Sequence, residues 1–233
     1  MKNKNGRSRA KAVVLLSGGL DSATTLYYAR ARGFSCTCLS FDYGQRHRRE
    51  LSAARLIAAS AGCERRTVKI ALPWKGSSLL DENMRLPAFN RRQRPGFQVP
   101  NTYVPARNII FLSFALSCAE AIGARAIFIG ANAVDYSGYP DCRPEFYKAF
   151  LNVVRTGTKS GKKQPVRILT PLLNMTKAEI VGLGTRLKAP LELTWSCYAG
   201  GSKPCGRCDS CFYRRKGFLE AGIDDPAFRG RHS

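Results

Sequence analysis

The 233-residue chain carries 38 lysine and arginine residues against 16 aspartate and glutamate, a formal net charge of +22 with histidine neutral. That length suits one α/β domain with a real core and a small appendage. No apolar run reaches membrane-span length, and the basic opening MKNKNGRSRAK lacks a signal peptide's apolar segment and makes a poor organellar transit peptide, so a cytoplasmic protein without a membrane partner is expected.

Val13, Val14, Leu15 and Leu16 form an unbroken apolar run, the mark of a strand buried on both faces. It runs straight into Ser17-Gly18-Gly19, and from Ser22 the pattern turns helical until Gly33 stops it. Glycines here let the backbone turn tightly, and the following helix N-terminus offers unpaired N–H groups and partial positive charge. The bland alternative is a turn with Asp21 or Ser22 capping a helix. Gly-Gly flanked by two hydroxyls and a carboxylate favours a phosphate loop, and the G-x-x-x-x-G-K-[ST] sequence of kinase-type sites is absent.

Further elements alternate along the chain. Residues 34–41 read as a second strand with Cys36 and Cys38 on one face, 47–61 as an amphipathic helix and 66–70 as a third strand. Residues 71–106 are too long and proline-rich for a plain connection and suggest a functional lid. Helices follow at 108–122, 144–154 and 176–187, the last with Thr176 facing Glu179 in a capping box. Strands are expected at 126–130 and 168–169. Such alternation implies a doubly wound parallel sheet, with ligands beyond the strand C-termini. The glycine loop, FDYGQRH and GANAVDYSGYPDCRPEF all follow strands and should converge on one rim.

Near the end, Cys197, Cys205, Cys208 and Cys211 sit in a Gly- and Pro-rich loop. Four thiolates at this spacing are the ligand set of a closed tetrahedral zinc site, with an iron–sulfur cluster as the rival. Zinc would fold a loop that lacks its own core. The other cysteines sit mostly in apolar contexts and do not argue for secretion. Basic residues concentrate at 2–11, 85–94 and 155–167, so a polyanion such as nucleic acid is a candidate partner, against the plainer reading of a solvated surface.

SGGLDS resembles the PP-loop of the ATP pyrophosphatase superfamily, and SGGLDS, FDYGQRH, TYVPARN, DYSGYPDCRPEF, TKAEI and TWSCY…PCGRCDSC together resemble the 7-cyano-7-deazaguanine synthase family, in order from residue 13 to about 215. The resemblance implies an adenine-nucleotide alpha-hydrolase-like α/β fold. It implies ATP-dependent conversion of 7-carboxy-7-deazaguanine and ammonia to the nitrile, through an adenylated acid and an adenylated amide, toward queuosine. The divisions expected are a basic tail at 1–11, the ATP-binding domain at 12–190, a zinc-binding region at 191–220 and a tail at 221–233. A homodimer is expected, along with weak, non-specific binding of nucleic acid. The strongly basic charge departs from the family.

Roles follow by position. Ser17, Gly18, Gly19, Asp21 and Ser22 should cradle pyrophosphate, within an ATP-binding stretch that also takes in Leu16, Leu20, Ala23, Thr24, Thr25 and Leu26. Asp21 should hold Mg²⁺ or fix the loop, since like charges repel. Lys177 resembles the superfamily's second phosphate-binding lysine, its alternative being a solvated helix residue. Arg107 is placed to take a phosphate or carboxylate, or to form a structural ion pair. The deazaguanine needs a planar slot and a carboxylate that accepts from its N1–H and 2-amino group. Asp135, Tyr136, Tyr139 and Asp141 are candidates, unranked, with Asp42 and Tyr43 as alternatives and Asn108 beside Arg107. His47 is a possible base or a packing residue, and Cys142 has no role from the resemblance. Two other readings stay open. One is a PP-loop enzyme acting directly on tRNA or coupling a deazaguanine to a macromolecule. The other is a non-enzymatic zinc-ribbon binder of nucleic acid.

Overall fold

A computed structural model describes residues 9–88, 99–134 and 139–228. Five strands, β1 (Lys11–Leu15), β2 (Ser35–Asp42), β3 (Glu64–Lys69), β4 (Ala126–Phe128) and β5 (Arg167–Leu169), form one sheet in the order β3-β2-β1-β4-β5. Every pairing is parallel; Val14 of β1 sits between Cys38 of β2 and Phe128 of β4. The helices are α1 (Leu20–Ala31), α2 (Arg49–Ser60), α3 (Arg107–Ile122), α4 (Pro144–Gly157), α5 (Lys177–Arg186) and α6 (Asp209–Glu220).

Strand alternation splits the core in two. Val13, Leu15, Leu39, Phe41, Ile127 and Ile168 face α3 and α4, where they meet Leu112, Ala115, Tyr147 and Phe150. Ala12, Val14, Cys36, Cys38, Ala126 and Phe128 face α1 and α2, where they meet Leu26, Ala54 and Ile57. The two cysteines of β2 thus share a face, and the sheet is doubly wound. A third cluster, with Leu20, Leu172, Ile180, Leu191 and Phe218, joins α1 to α5 and α6. Because β1 lies between β2 and β4, consecutive crossovers leave it in opposite directions. The crevice beyond its carboxyl end is the switch point where ligands enter such sheets.

Boundaries differ from the sequence pattern where packing intervenes. Helix α1 begins at Leu20 with Gly19 as its N-cap residue, so neither Asp21 nor Ser22 caps it. Helix α2 begins at Arg49 and not at residue 47, because His47 is wedged against the later loop: a Cβ on Gly200 would lie 2.3 Å from the His47 Cβ. The capping box of α5 forms as read, with Thr176 Oγ1 accepting from Glu179 N–H and Glu179 accepting from Thr176 N–H at 2.7 Å. Residues 71–88 and 99–106 carry turns and an isolated bridge between Ala88 and Cys208. Arg46 pins this connection by donating to the carbonyls of Ser78 and Met84. The N-terminal residues 1–8 of the basic tail, most of the 85–94 basic stretch and the Asp135–Tyr136 pair lie outside the described residues. No helix among the described residues is long and apolar enough to cross a membrane.

Candidate active site at the carboxyl edge of the sheet

The loop after β1 is held by backbone packing. Gly18 adopts φ +95°, and a Cβ there would lie 2.1 Å from the Glu50 carbonyl oxygen and 2.7 Å from the Ala54 nitrogen. Only glycine tolerates both the conformation and the contact. Gly130, just past β4, is pressed against the first turn of α1, its missing Cβ 2.9 Å from the Asp21 carbonyl carbon. From the far side, Trp195 donates its N–H to the Gly18 carbonyl at 3.0 Å. Within the loop, the Ser22 hydroxyl accepts from Gly18 N–H at 3.2 Å and donates to the Gly19 carbonyl, and the Ser17 hydroxyl accepts from Gly19 N–H.

Beyond this loop opens a cavity of about 320 Å³. Its wall includes Leu16, Ser17, Gly19, Leu20, Asp21 and Ser22, together with Arg107, Asn108, Tyr43, Tyr139 and Lys177. The three motifs that follow strands therefore meet on one rim. Lys177, only 9% exposed, is no solvated helix lysine. Its ammonium donates to both Asp21 oxygens at 2.9 and 2.8 Å, tying the first turn of α5 to the first turn of α1. Helix α6 covers its stem, for a Cβ on Gly217 would meet Lys177 Cγ at 2.4 Å.

Other sequence candidates lie off this wall. Ala23, Thr24, Thr25 and Leu26 are fully buried in the body of α1 and do not line the cavity; Thr24 faces Gly184 of α5. Gly18 is turned into α2. Asp42 points away from the cavity and pairs with Arg48 at 3.5 Å, as alternation with its cavity-facing neighbours Phe41 and Tyr43 requires. Asp141, 5% exposed, accepts the Asn108 N–H at 3.1 Å at the start of α3, and the Asn108 amide donates to the Asp141 carbonyl. Its carboxylate fixes the helix N-terminus from behind the wall.

Arg107 is the electrostatic centre of the far end. Burial opposes its charge, but the hydroxyls of Tyr43 and Tyr139, the hydrogen bond to Tyr43 and the Asp141 carboxylate hold its pKa above the ordinary value. Ala106 precedes it in the left-handed region at φ 53°, with Tyr103 Oη accepting its N–H. Tyr139 shares a 2.6 Å hydrogen bond with Thr102, and burial raises its pKa and that of Tyr43. Cys142 lines the cavity, and burial pushes its thiol up to about 11, so it is no ready nucleophile. His47 also lines the wall; burial lowers its pKa, and its Nδ1 is buried without a hydrogen-bond partner among the described residues.

Several wall residues were not singled out by the sequence reading. Glu50 projects from α2, and burial pushes its carboxyl up to about 7, against the opposing pull of Arg107 and with a further push from Cys197. Asn132 bridges from the end of β4 to the carbonyls of Leu172 and Met175 before α5. Arg214, 3% exposed, donates to both Asp225 oxygens, to Thr194 and Ser196 hydroxyls and to the Leu191 carbonyl. Outside the wall, Arg49 lies over the Trp195 ring at 4.8 Å and donates to the Ser202 carbonyl.

Next to this wall the Sγ atoms of Cys197, Cys205, Cys208 and Cys211 lie within 4.8 Å of one another. A tetrahedral ion with bonds near ~2.3 Å would set its sulfurs about 3.8 Å apart, so the set is close to a binding geometry. Backbone N–H groups of Ala199 and Cys205 point at Cys197 Sγ at 3.4 and 3.3 Å. Hydrogen bonds from Cys208 and Cys211 lower the Cys197 pKa, while Cys208 is pushed up to about 11. Cys197, lowered, is thus the sulfur set to ionise first, while Cys208 and Cys211 are held up beside it.

A sequence profile of the family described as queuosine biosynthesis protein QueC matches residues 11–222. The 7-cyano-7-deazaguanine synthase of Nostoc sp. is 54% identical over 219 residues, covering 93% of this chain and 96% of the relative. That of Thermoplasma acidophilum is 51% identical over 218 residues, covering 94% and 91%. Among solved structures, NMN synthetase from Francisella tularensis superposes with a TM-score of 0.50 at 17% identity, over 94% of this chain and 80% of its own, a likeness of fold.

Proposed function

The chain belongs to the queuosine biosynthesis protein QueC family, and from that premise we propose the following chemistry for its site. It is a 7-cyano-7-deazaguanine synthase, an ATP-dependent ligase that forms a C–N bond. A carboxylate does not react with ammonia at neutral pH because its oxygen is a hopeless leaving group. Transfer of AMP to the 7-carboxylate, with loss of pyrophosphate, makes an acyl adenylate; ammonia then displaces AMP to give the amide. A second ATP adenylates the amide oxygen, and loss of AMP leaves the nitrile. One site must therefore stabilise departing pyrophosphate twice.

Ser17, Gly19, Ser22 and the N-terminus of α1 would take the phosphates, with backbone N–H groups and hydroxyls aimed at the developing charge. The observation that carries this assignment is the Lys177–Asp21 pair beside the loop. It holds a cation at the phosphate seat while its carboxylate keeps the ammonium in place. Arg107 would take the substrate's carboxylate or a neighbouring oxygen. Mg²⁺, when bound, would neutralise charge on the leaving pyrophosphate, and Asp21 is the loop carboxylate that could share it. Zinc in the four-cysteine set would be structural, since four sulfurs leave no open position. Residues 12–190 would form the ATP-binding domain and 191–220 the metal-binding region, in a cytoplasmic homodimer. The half-exposed apolar side chains Ile109 and Phe114 on α3 offer a surface for a second copy.

Incubating purified protein with ATP, ammonium and 7-carboxy-7-deazaguanine should yield the nitrile and two AMP per turnover, read by mass spectrometry. Adding tRNA at physiological salt should leave turnover unchanged, with any tRNA binding weak and steeply salt-dependent. A tRNA-dependent burst of AMP, or covalently modified tRNA, would overturn this reading.

A further inference from the structure

The reacting face of the deazaguanine is its carboxyl; its identity lies on another edge. Around that edge run an oxygen acceptor, then the N1–H donor, then the 2-amino donor. A site that reads it needs a donor beside an acceptor-only group, over a flat apolar wall. We infer that the Glu50 carboxylate accepts from N1–H and the 2-amino group, with Arg107 beside it facing the neighbouring oxygen. This rests on the deazaguanine reading and deepens it.

Four observations place the recognition there. Glu50 and Arg107 line the same cavity, and Arg107 acts on Glu50 through space without an ion-pair contact between them. Glu50 accepts no hydrogen bond from its side chain's described surroundings, whereas the other cavity-lining carboxylate among the described residues, Asp21, takes both its oxygens to Lys177. Asp42 and Asp141 are spent elsewhere, on Arg48 and on the N-terminus of α3. Phe41, Tyr43 and Phe111 supply the apolar aromatic wall, with Phe41 and Phe111 stacked at 3.9 Å. A carboxylate held in a cavity without donors is costly until a ligand brings them, and two adjacent N–H donors are what this edge presents.

Glu50 would thus be a specificity-determining residue, outside the bond-making steps. The test compares kcat/KM for 7-carboxy-7-deazaguanine with that for its analogue lacking the 2-amino group. A site built to bond a donor rejects the analogue without it, so the wild-type enzyme should prefer the natural acid about 100-fold. Glu50→Gln should narrow that preference below about tenfold, through KM for the acid, with KM for ammonium unchanged. Glu50→Asp, which keeps the carboxylate, should keep the preference with weaker binding. If Glu50→Gln does not turn over, calorimetric binding of the same two compounds to the variant reads the same ratio. An unchanged preference in Glu50→Gln, no preference in the wild type, or a rise confined to KM for ammonium would overturn the inference. A wild-type enzyme that makes no nitrile at all would instead defeat the reaction proposed above.

Discussion

The glycine loop after β1 and the cysteine-rich region meet at a backbone hydrogen bond, from Trp195 N–H to the Gly18 carbonyl, yet they are held by opposite means. The loop hangs between buried strands and helices, and its shape is fixed by contacts too close for any side chain, at Gly18 and Gly130. The loop that carries the cysteines owns almost no apolar core of its own, although α6 behind it seats Phe218 in the third cluster: its buried cluster is three cysteines, with Trp195, Tyr198, Cys205 and Phe228 packed around them. Sulfur and one buried arginine replace packing there. The candidate site therefore has two supports of unequal robustness, because Ser196, Tyr198, Ser210 and Tyr213 from the weaker region complete the cavity wall.

Removing one of the four sulfurs proposed to hold zinc should give the largest effect. Structural metal binding couples about 10 kcal/mol or more to folding in small sites, so Cys211→Ser should leave the loop at 195–208 unfolded and abolish AMP formation. Elemental analysis should find one zinc per chain in the wild type and none in the variant. Iron in the freshly purified protein, or a fully active variant, would break the contrast between the two regions.

Arg214→Met comes next. It leaves Asp225 and Thr194 without their partner in the interior, and breaking such a buried pair costs about 3–5 kcal/mol. Denaturant unfolding with metal retained should show that loss. Asp225→Asn combined with Arg214→Met should cost less than the sum of the two single changes; strict additivity would mean that the pair does not act as a clamp.

Gly18→Ala tests the first support. The Cβ would force the loop off α2, costing about 1–3 kcal/mol as overpacking does, with AMP formation falling at least about 100-fold. Gly33→Ala is the control, since Gly33 has φ +84° but nothing within 4 Å of a Cβ; it should lose stability through strain alone and keep its activity. Equal loss of activity in both would show that glycine flexibility, and not the close contact, is what the loop needs.

What the sequence revealed divides along the same line. The strand–loop–helix at Val13–Leu26, the capping box at Thr176 and the cysteine set were legible because each depends on neighbours a few residues away. Glu50, Asn132 and Arg214 were not. They sit in ordinary helical or loop contexts, and their roles arise from segments distant in sequence, as when Arg214 reaches Leu191 and Thr194. Asp42 and Asp141 stand off the cavity wall for a related reason. Each carboxylate stands in a rim motif, but strand alternation turned one away and the N-terminus of α3 claimed the other.

The smallest effect belongs to Glu50 and links the two supports, since α2 presses its backbone on Gly18 while its carboxyl faces the cavity. Burial raises the Glu50 pKa from 4.5 to about 7. Between those values the folded protein binds more protons than the unfolded chain, so this contribution to stability is full below pH 4.5 and is lost as the pH rises through 7. Glu50→Gln removes the titration. Its stability should match the wild type near pH 4 and exceed it by about 1–2 kcal/mol at pH 8, less than the whole shift because the side chain is only partly buried. Denaturant midpoints of both proteins across that range would measure it, and parallel profiles would refute it. Adding the nitrile deazaguanine sharpens the point. If its donors satisfy the ionised carboxylate, it should stabilise the wild type more at pH 8 than at pH 5.5, and Glu50→Gln equally at both. The instability of the empty site would then be the counterpart of its selectivity, as expected where function is held against stability.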